Sequence, residues 1–179
     1  TAGTAAAVAA ARRGHKVLLV EEANCLGGTS TSGGVCEWFA NLEGMGDVFD
    51  RVRSDLHKHG AVLKGRFFNA ECLKIVWQLL AREAGVTVLL HASAVGASAD
   101  PGRVKALRIV SCSQPIEAGA KFFIDATGEG DVAAAAGAEF MKGDPAHGRT
   151  LHMTLTFVLY DTGKPVQPVD LRKIHDYAL

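Results

Sequence analysis

The fold is decided by residues 3–34, GTAAAVAAARRGHKVLLVEEANCLGGTSTSGG. Small residues up to Arg13, followed by Gly14, predict a helix, because alanine favours helices and glycine commonly ends them. Residues 16–20 then predict a short strand that is buried on both faces, as in a parallel sheet. Two acids and a loop rich in glycine and hydroxyl residues, Gly27–Gly34, come next. A helix, a strand, an acid and a glycine-rich loop in this order are typical of a dinucleotide-binding domain.

The start of the first helix is the candidate phosphate site. A helix N-terminus presents unpaired N–H groups and a partial positive charge, so it binds phosphate without a cationic side chain. Ala2 and Gly3 stand at this end, and Gly3 corresponds to the last glycine of a G-x-G-x-x-G turn. An acid at the tip of the next strand accepts hydrogen bonds from the ribose hydroxyls. Glu21 fits that role better than Glu22, because it directly follows the last strand residue, and a glutamate there disfavours NADP.

The chain opens on Thr1, Ala2 and Gly3, without the strand and first glycines of this motif. We therefore expect a chain that begins inside its own cofactor motif and is truncated at both ends, with a last helix over residues 170–179 that the chain end interrupts. Without that strand, a chain that keeps the shape of the fold but binds no cofactor tightly is one alternative.

Composition excludes several classes of function. The formal net charge is +0, so nothing indicates nucleic acid or an anionic membrane as a partner. No apolar segment approaches the roughly 18 residues of a membrane-spanning helix. Four scattered cysteines form no C-x-x-C motif and predict reduced thiols in the cytoplasm. The seven histidines show no metal-ligand spacing, so we expect no metal.

The remaining elements give the fold class and the domains. Hydrophobic periodicity predicts helices from Asp47 to about residue 60 and over residues 69–84, in which Trp77 is a core residue. Strands are expected at residues 86–91, 120–124 and 151–160, an antiparallel meander at 93–118 and a short helix at 132–136. This is an α/β fold, a Rossmann-like parallel sheet with flanking helices and an antiparallel β-meander insertion, followed by the start of a second domain. Residues 1–142 would bind the cofactor, and residues 143–179 would begin a substrate or cap domain.

The Gly27–Gly34 loop bears on whether the cofactor is NAD or FAD. A simple NAD-dependent Rossmann dehydrogenase, the second alternative, is expected to enter its next helix directly after the ribose acid. A loop with four glycines and four hydroxyls can instead offer many N–H and O–H donors to a pyrophosphate and an isoalloxazine ring.

Three segments together resemble the FAD-dependent oxidoreductase family with the glutathione-reductase-like fold: VLLVE at 17–21, LGGTSTSGG at 26–34 and IDATGEGD at 124–131. The resemblance implies that Ala2 and Gly3 lie against the FAD pyrophosphate, that Glu21 binds the adenosine ribose, and that the loop follows the cofactor to the flavin edge. It also implies that the backbone of Val95 touches adenine and that the turn at residues 126–128 returns beside the cofactor. The candidate cofactor-binding residues are Ala2, Gly3, Glu21, Glu22, Gly27, Gly28, Thr29, Thr31, Ser32, Gly33, Val95, Ala126, Thr127, Gly128 and Asp131.

The predicted cofactor indicates the type of reaction, but it does not identify the catalytic residues. We expect hydride transfer between FAD and a small-molecule substrate, with the organic chemistry supplied by the flavin. Asp131 fits two roles equally, an acid that faces the cofactor or the N-cap of the helix at 132–136. His147 and His152 stand where the substrate domain would begin, but position alone does not make either a proton donor. The sequence identifies no catalytic acid or base.

Overall fold

The computed structural model of the protein describes residues 1–39, 42–100, 102–151, 153–157 and 160–164. Its helices are α1 (Ala2–Arg12), α2 (Asp47–Lys58), α3 (Ala70–Glu83) and α4 (Asp131–Ala135). Its strands are β1 (Leu18–Val20), β2 (Val62–Leu63), β3 (Phe67–Phe68), β4 (Thr87–Leu89), β5 (Ala92–Asp100), β6 (Arg103–Ser111) and β7 (Gln114–Gly119). A single 3₁₀ turn, Gly28–Ser30, lies in the glycine-rich loop.

A parallel sheet and three helices form the hydrophobic core. β1 pairs with β4 in parallel, with Leu18 opposite Thr87 and Val20 opposite Leu89. Helices α1, α2 and α3 pack against one another and contribute most of the buried side chains. Trp77 on α3 is 3% exposed, which confirms it as a core residue. The α/β fold with a parallel sheet and flanking helices is therefore confirmed.

Helix ends follow from local chemistry. The Asn69 side chain accepts a hydrogen bond from the backbone N–H of Cys72 at 3.0 Å, so it caps α3 as the predicted start of that helix requires. α2 begins at Asp47, after an N-cap at Gly46. Both long predicted helices are confirmed to within two residues at each end, which is the usual scatter of such boundaries.

The predicted meander is also confirmed. Strands β5, β6 and β7 form an antiparallel sheet in that order, so β5 is an edge strand. The register between β5 and β6 shifts between Ala94 and Gly96, which leaves Val95 as an extra residue in a β-bulge. β5 starts three residues after the end of β4, and its first residue, Ala92, donates from N–H to the carbonyl of Glu21, the residue after β1, at 3.0 Å.

Three strand predictions were wrong in extent or burial. Residues 120–124 form no strand, and Phe122 and Ile124 are 88% and 69% exposed. The described part of 151–160 likewise contains no strand, and its apolar side chains are exposed. β1 is shorter than predicted, and Leu18 is 46% exposed. The physical reason is pairing: among the described residues β1 bonds only to β4, so apolar side chains on unpaired segments have nothing to cover them.

Some predictions lie outside these observations. The helix expected at residues 170–179 falls outside the described residues, and the division after residue 142 stays a prediction. All four cysteines carry free thiols. Over the described ranges no helix has the length and apolar character to cross a membrane, and no three ligating side chains are grouped to hold a metal ion.

Candidate cofactor site

The N-terminus of α1 lies against the glycine-rich loop. Thr1, the N-cap residue, donates a hydrogen bond from its hydroxyl to the carbonyl of Gly27, and this hydroxyl is 3.2 Å from Oγ of Ser30. No side chain caps α1. The first N–H groups of the helix therefore stay available beside the loop, together with the positive end of the helix dipole.

Gly3 allows two distant parts of the chain to approach the helix. A Cβ added to Gly3 would lie 3.1 Å from Cβ of Ala126 and 3.7 Å from Cδ1 of Leu19. The first distance is tighter than most Cβ contacts in proteins. The missing side chain thus lets α1 pack closely against both β1 and the turn at residues 126–128. The helix start and this turn, both selected from the sequence, are brought together.

The Gly27–Gly34 loop is a compact turn with an internal hydrogen-bond network. Thr31 N–H donates to the Gly28 carbonyl at 2.9 Å, and Val35 N–H donates to the Thr29 carbonyl at 3.0 Å. Gly33 packs so closely that an added Cβ would lie 2.8 Å from Cα of Thr29. This glycine is therefore required by space, because its φ lies outside the left-handed region.

The hydroxyl side chains of the loop have different roles. Thr31 is 4% exposed, and its hydroxyl is 2.8 Å from the Leu26 carbonyl and 3.2 Å from the Gly28 carbonyl, so it holds the turn together. Ser32 donates to the Gly28 carbonyl at 3.1 Å but stays exposed, as does Thr29. Any contact of Thr31 with a cofactor would therefore involve its backbone, whereas Thr29 and Ser32 present side chains to a ligand.

Glu21 lies at the carboxyl end of β1, beside the start of α1. Its N–H donates to the Leu89 carbonyl at 2.9 Å, and its Oε1 accepts from Ala23 N–H at 2.9 Å. The strand before it packs against the helix start, since a Cβ added to Gly3 would lie 3.7 Å from Cδ1 of Leu19. Glu22 is exposed and follows the strand. The two acids thus differ in exposure, and the choice of Glu21 as the ribose acid stays a prediction.

The turn after residue 124 is organised by Asp125. Its carboxylate accepts from Thr127 N–H at 3.0 Å, from the Thr127 hydroxyl at 2.7 Å and from Ala133 N–H at 2.8 Å. Burial raises the pKa of Asp125, but these hydrogen bonds outweigh it and hold the pKa below its usual value. Asp125 thus keeps Thr127 and Gly128 at the surface near Gly3, the structural role expected of a polar residue at this position.

Asp131 is not the N-cap of α4. It is the first helical residue after the N-cap Gly130, which has a φ of 73°, and the first turn of this helix is capped by the Asp125 carboxylate, which accepts from Ala133 N–H. The Asp131 N–H donates to Oγ1 of Thr127 at 2.9 Å. The N-cap alternative is therefore wrong, and a role of Asp131 toward the cofactor stays a prediction.

Two contacts were not visible in the sequence. The Thr156 hydroxyl donates to the Gly33 carbonyl at 2.8 Å and joins the far end of the chain to the glycine-rich loop. His147 Nδ1 lies 3.2 Å from a carboxylate oxygen of Asp144, in an exposed loop that this carboxylate closes. His152 lies outside the described residues. The Thr156 contact has no local sequence signal, since it joins residues 123 positions apart, whereas Asp144 and His147 are only three residues apart.

Comparisons with known proteins identify the family and the fold. Residues 1–177 match the family described as FAD dependent oxidoreductase. The crystal structure of Thermovibrio ammonificans THI4 is similar at 20% sequence identity, with a TM-score of 0.53, over 74% of this chain and 56% of that chain. At that identity the likeness shows the fold, and this chain spans little more than half of the THI4 chain. No curated protein matches the sequence. Since the family match covers almost the whole sequence, the chain belongs to the FAD-dependent oxidoreductase family.

Proposed function

We propose that this chain binds FAD and serves an enzyme that transfers hydride between the flavin and a small-molecule substrate. The observation that carries the proposal is the meeting of three parts at the helix start: the glycine-rich loop at Thr1, the turn at residues 126–128 at Gly3, and the uncapped start of α1 itself. All three offer backbone groups rather than cationic side chains, which suits a pyrophosphate that must be held closely.

The pyrophosphate would lie over the edge at which the start of α1 meets the loop. N–H groups of Ala2 and Gly3 would donate from the helix start. Gly28 would let the loop backbone approach, while Gly27 and Gly33 keep the loop compact by leaving room for Thr31 and for the Thr29 backbone. The hydroxyls of Thr29 and Ser32 would add donors. A Cβ added to Gly28 would lie 3.5 Å from the Thr1 backbone nitrogen, so the gap between helix and loop is narrow.

The adenosine half would extend toward the sheets. Glu21 lies at the strand end beside the helix, in a position to accept hydrogen bonds from the ribose hydroxyls, with Glu22 as a more exposed neighbour. Val95 lies in a bulge of an edge strand, so its backbone is free to pair with the edge of adenine. β5 is hydrogen-bonded to Glu21 at its start, which keeps these two residues in one region.

The flavin half would lie toward the turn at residues 126–131. Gly128 fits a close approach, because an added Cβ would meet no protein atom within 4 Å and its φ is ordinary. Ala126 and Thr127 would contribute backbone groups, and Asp131 an exposed carboxylate. Bound FAD would supply the hydride chemistry. The residues of this chain would bind the cofactor, orient it and limit its contact with water.

The proposal also covers the class of substrate and the cellular compartment. The substrate would be a small molecule rather than a nucleic acid or a membrane, as the balanced net charge suggests. The free thiols support a reducing, cytoplasmic compartment.

The test is FAD binding by the Glu21→Gln variant, measured as a Kd by flavin fluorescence. Glutamine can still accept the hydrogen bond from Ala23, so the loop should hold while the charge is lost. A hydrogen bond to a charged group contributes about 1.5–3 kcal/mol, so we expect affinity to fall about tenfold or more. The control is Glu139→Gln, which changes an exposed glutamate outside the site and should bind FAD as the wild type does.

Other outcomes separate the alternatives. A larger loss in Glu22→Gln than in Glu21→Gln would reassign the ribose acid. Binding of NADH without binding of FAD would indicate a dehydrogenase. If the wild-type protein binds neither, the chain keeps the fold without the cofactor, and the proposal fails.

A further inference from the structure

Arg108 lies across Gly96 in the three-stranded sheet. A Cβ added to Gly96 would be 2.5 Å from Nη2, 2.9 Å from Nε and 3.1 Å from Cζ of this arginine. The φ of Gly96 lies outside the left-handed region, so the backbone itself does not require glycine. The glycine therefore leaves space for the guanidinium group, which occupies the position of its missing side chain.

The position of this guanidinium is not explained by a protein partner. Arg108 is exposed and stands opposite Gly96 on one side and opposite Glu117 on the other. Opposite charges at such cross-strand positions commonly pair. Yet among the described residues no hydrogen bond or ion pair reaches Arg108, and its side chain lies over Gly96 instead. A planar cation is thus held against the strand that carries the Val95 bulge.

The location of Arg108 matches the proposed adenosine site. Gly96 directly follows Val95, and β5 begins with a hydrogen bond to the Glu21 carbonyl. Gly96 and Arg108 are register partners, so the guanidinium lies one residue from the Val95 bulge, over the edge strand β5.

We propose that Arg108 is a further cofactor-binding residue, whose guanidinium covers the adenine ring of FAD while the ring edge pairs with the Val95 backbone. This inference rests on the proposed function. A guanidinium is flat and weakly hydrated, and it stacks on aromatic faces. Gly96 then determines where the guanidinium lies, since any side chain at that position would displace it.

The experiment compares three ligands, since FAD and ADP contain adenine and FMN does not. Arg108→Leu removes the guanidinium and should raise the Kd for FAD and for ADP about fivefold, while the Kd for FMN stays unchanged. Arg108→Lys keeps the charge without the plane and should lose nearly as much. The matched control is Arg103→Leu, an exposed arginine at the far end of the same strand, opposite Asp100, which should bind all three ligands as the wild type does. Kd values come from calorimetry, after the unliganded Tm of each variant has been measured.

Gly96→Ala is an independent second variant, because it displaces the guanidinium without removing it. It should weaken ADP and FAD and leave FMN unchanged. The inference is overturned if Arg108→Leu binds ADP as tightly as the wild type does. It is also overturned if this variant loses affinity for FMN and ADP equally. Retention of full affinity in Arg108→Lys would also overturn it, since charge and not stacking would then be responsible. A wild type that binds no FAD would remove the proposed function and this inference together, whereas normal FAD binding by every variant would remove this inference alone.

Discussion

Substitution of Gly33 by alanine tests whether the shape of the glycine-rich loop holds the cofactor. The added Cβ would lie 2.8 Å from Cα, 2.9 Å from the carbonyl oxygen and 3.2 Å from the carbonyl carbon of Thr29. All three are backbone atoms, so no side-chain rotation relieves the contact. Because ordinary van der Waals contact begins near 3.4 Å, the backbone would have to move by about 0.6 Å.

That movement would disturb two hydrogen bonds of the loop. The Thr29 carbonyl accepts from Val35 N–H at 3.0 Å, and Gly33 N–H donates to the Gly28 carbonyl at 3.2 Å. Overpacking of this kind costs about 1–3 kcal/mol, although an exposed loop relaxes toward the lower value. For a chain of this size each kcal/mol lowers the Tm by about 2–4 °C. We therefore expect a Tm lower by at least about 2 °C.

Cofactor binding should suffer more than stability. We expect the loop to donate two hydrogen bonds to the pyrophosphate. Because each contributes about 0.5–1.5 kcal/mol, their loss should lower the affinity for FAD about tenfold. The assay is thermal unfolding by circular dichroism together with FAD titration. Gly119→Ala is the matched control, because its Cβ would lie an ordinary 3.6 Å from the nearest atom and the residue is outside the site. A Gly33→Ala protein with the Tm and the FAD affinity of the Gly119→Ala control would refute the reasoning.

Two further predictions concern stability. Asp125→Asn should lower the free energy of unfolding by about 1 kcal/mol at pH 7, because the amide accepts hydrogen bonds more weakly than the carboxylate. Since the pKa of Asp125 is lowered in the folded state, its stabilisation is fully present above the ordinary aspartate pKa of about 3.9 and is lost as the pH falls below it. Denaturant unfolding of both proteins should converge at low pH, and a difference that stays constant with pH would contradict the prediction. Asn69→Ala removes the cap of α3 and should lower the Tm by about 2–4 °C. Asn69→Asp keeps the hydrogen-bond acceptor and should leave the Tm unchanged. Equal Tm values for the wild type and Asn69→Ala would show that the cap does not stabilise the helix.

Much of the fold was predictable because its signals are local. The helix of small residues that ends before Gly14, the stripe that buries Trp77 and the turn that separates β5 from β6 are each encoded within about ten residues. The elements that frame the candidate site were predictable in the same way, whereas the roles of its residues stay predictions. Glu21 was selected because it directly follows a strand, and the structure places it directly after β1.

Predictions that depend on distant partners were less successful. Residues 120–124 have the composition of a buried strand, but a strand exists only where another strand pairs with it, and the sequence does not say whether one does. Thr31 was selected with the other hydroxyl residues of its loop, yet it is the one that turns inward and bonds to the Leu26 carbonyl. Its neighbours in sequence give no sign of that difference, because burial depends on what packs over the loop.

By itself, then, the sequence determined which segments are helices, that the parallel strand is followed by an acid, and that a glycine-rich loop suited to FAD comes next. Only the tertiary structure decided that Gly3 meets Ala126 across more than a hundred residues, that Thr156 bonds to Gly33, and that Arg108 lies over Gly96. The physical reason is that backbone preference and hydrophobic period act between near neighbours. Close packing and hydrogen bonding between distant segments depend on the path of the whole chain.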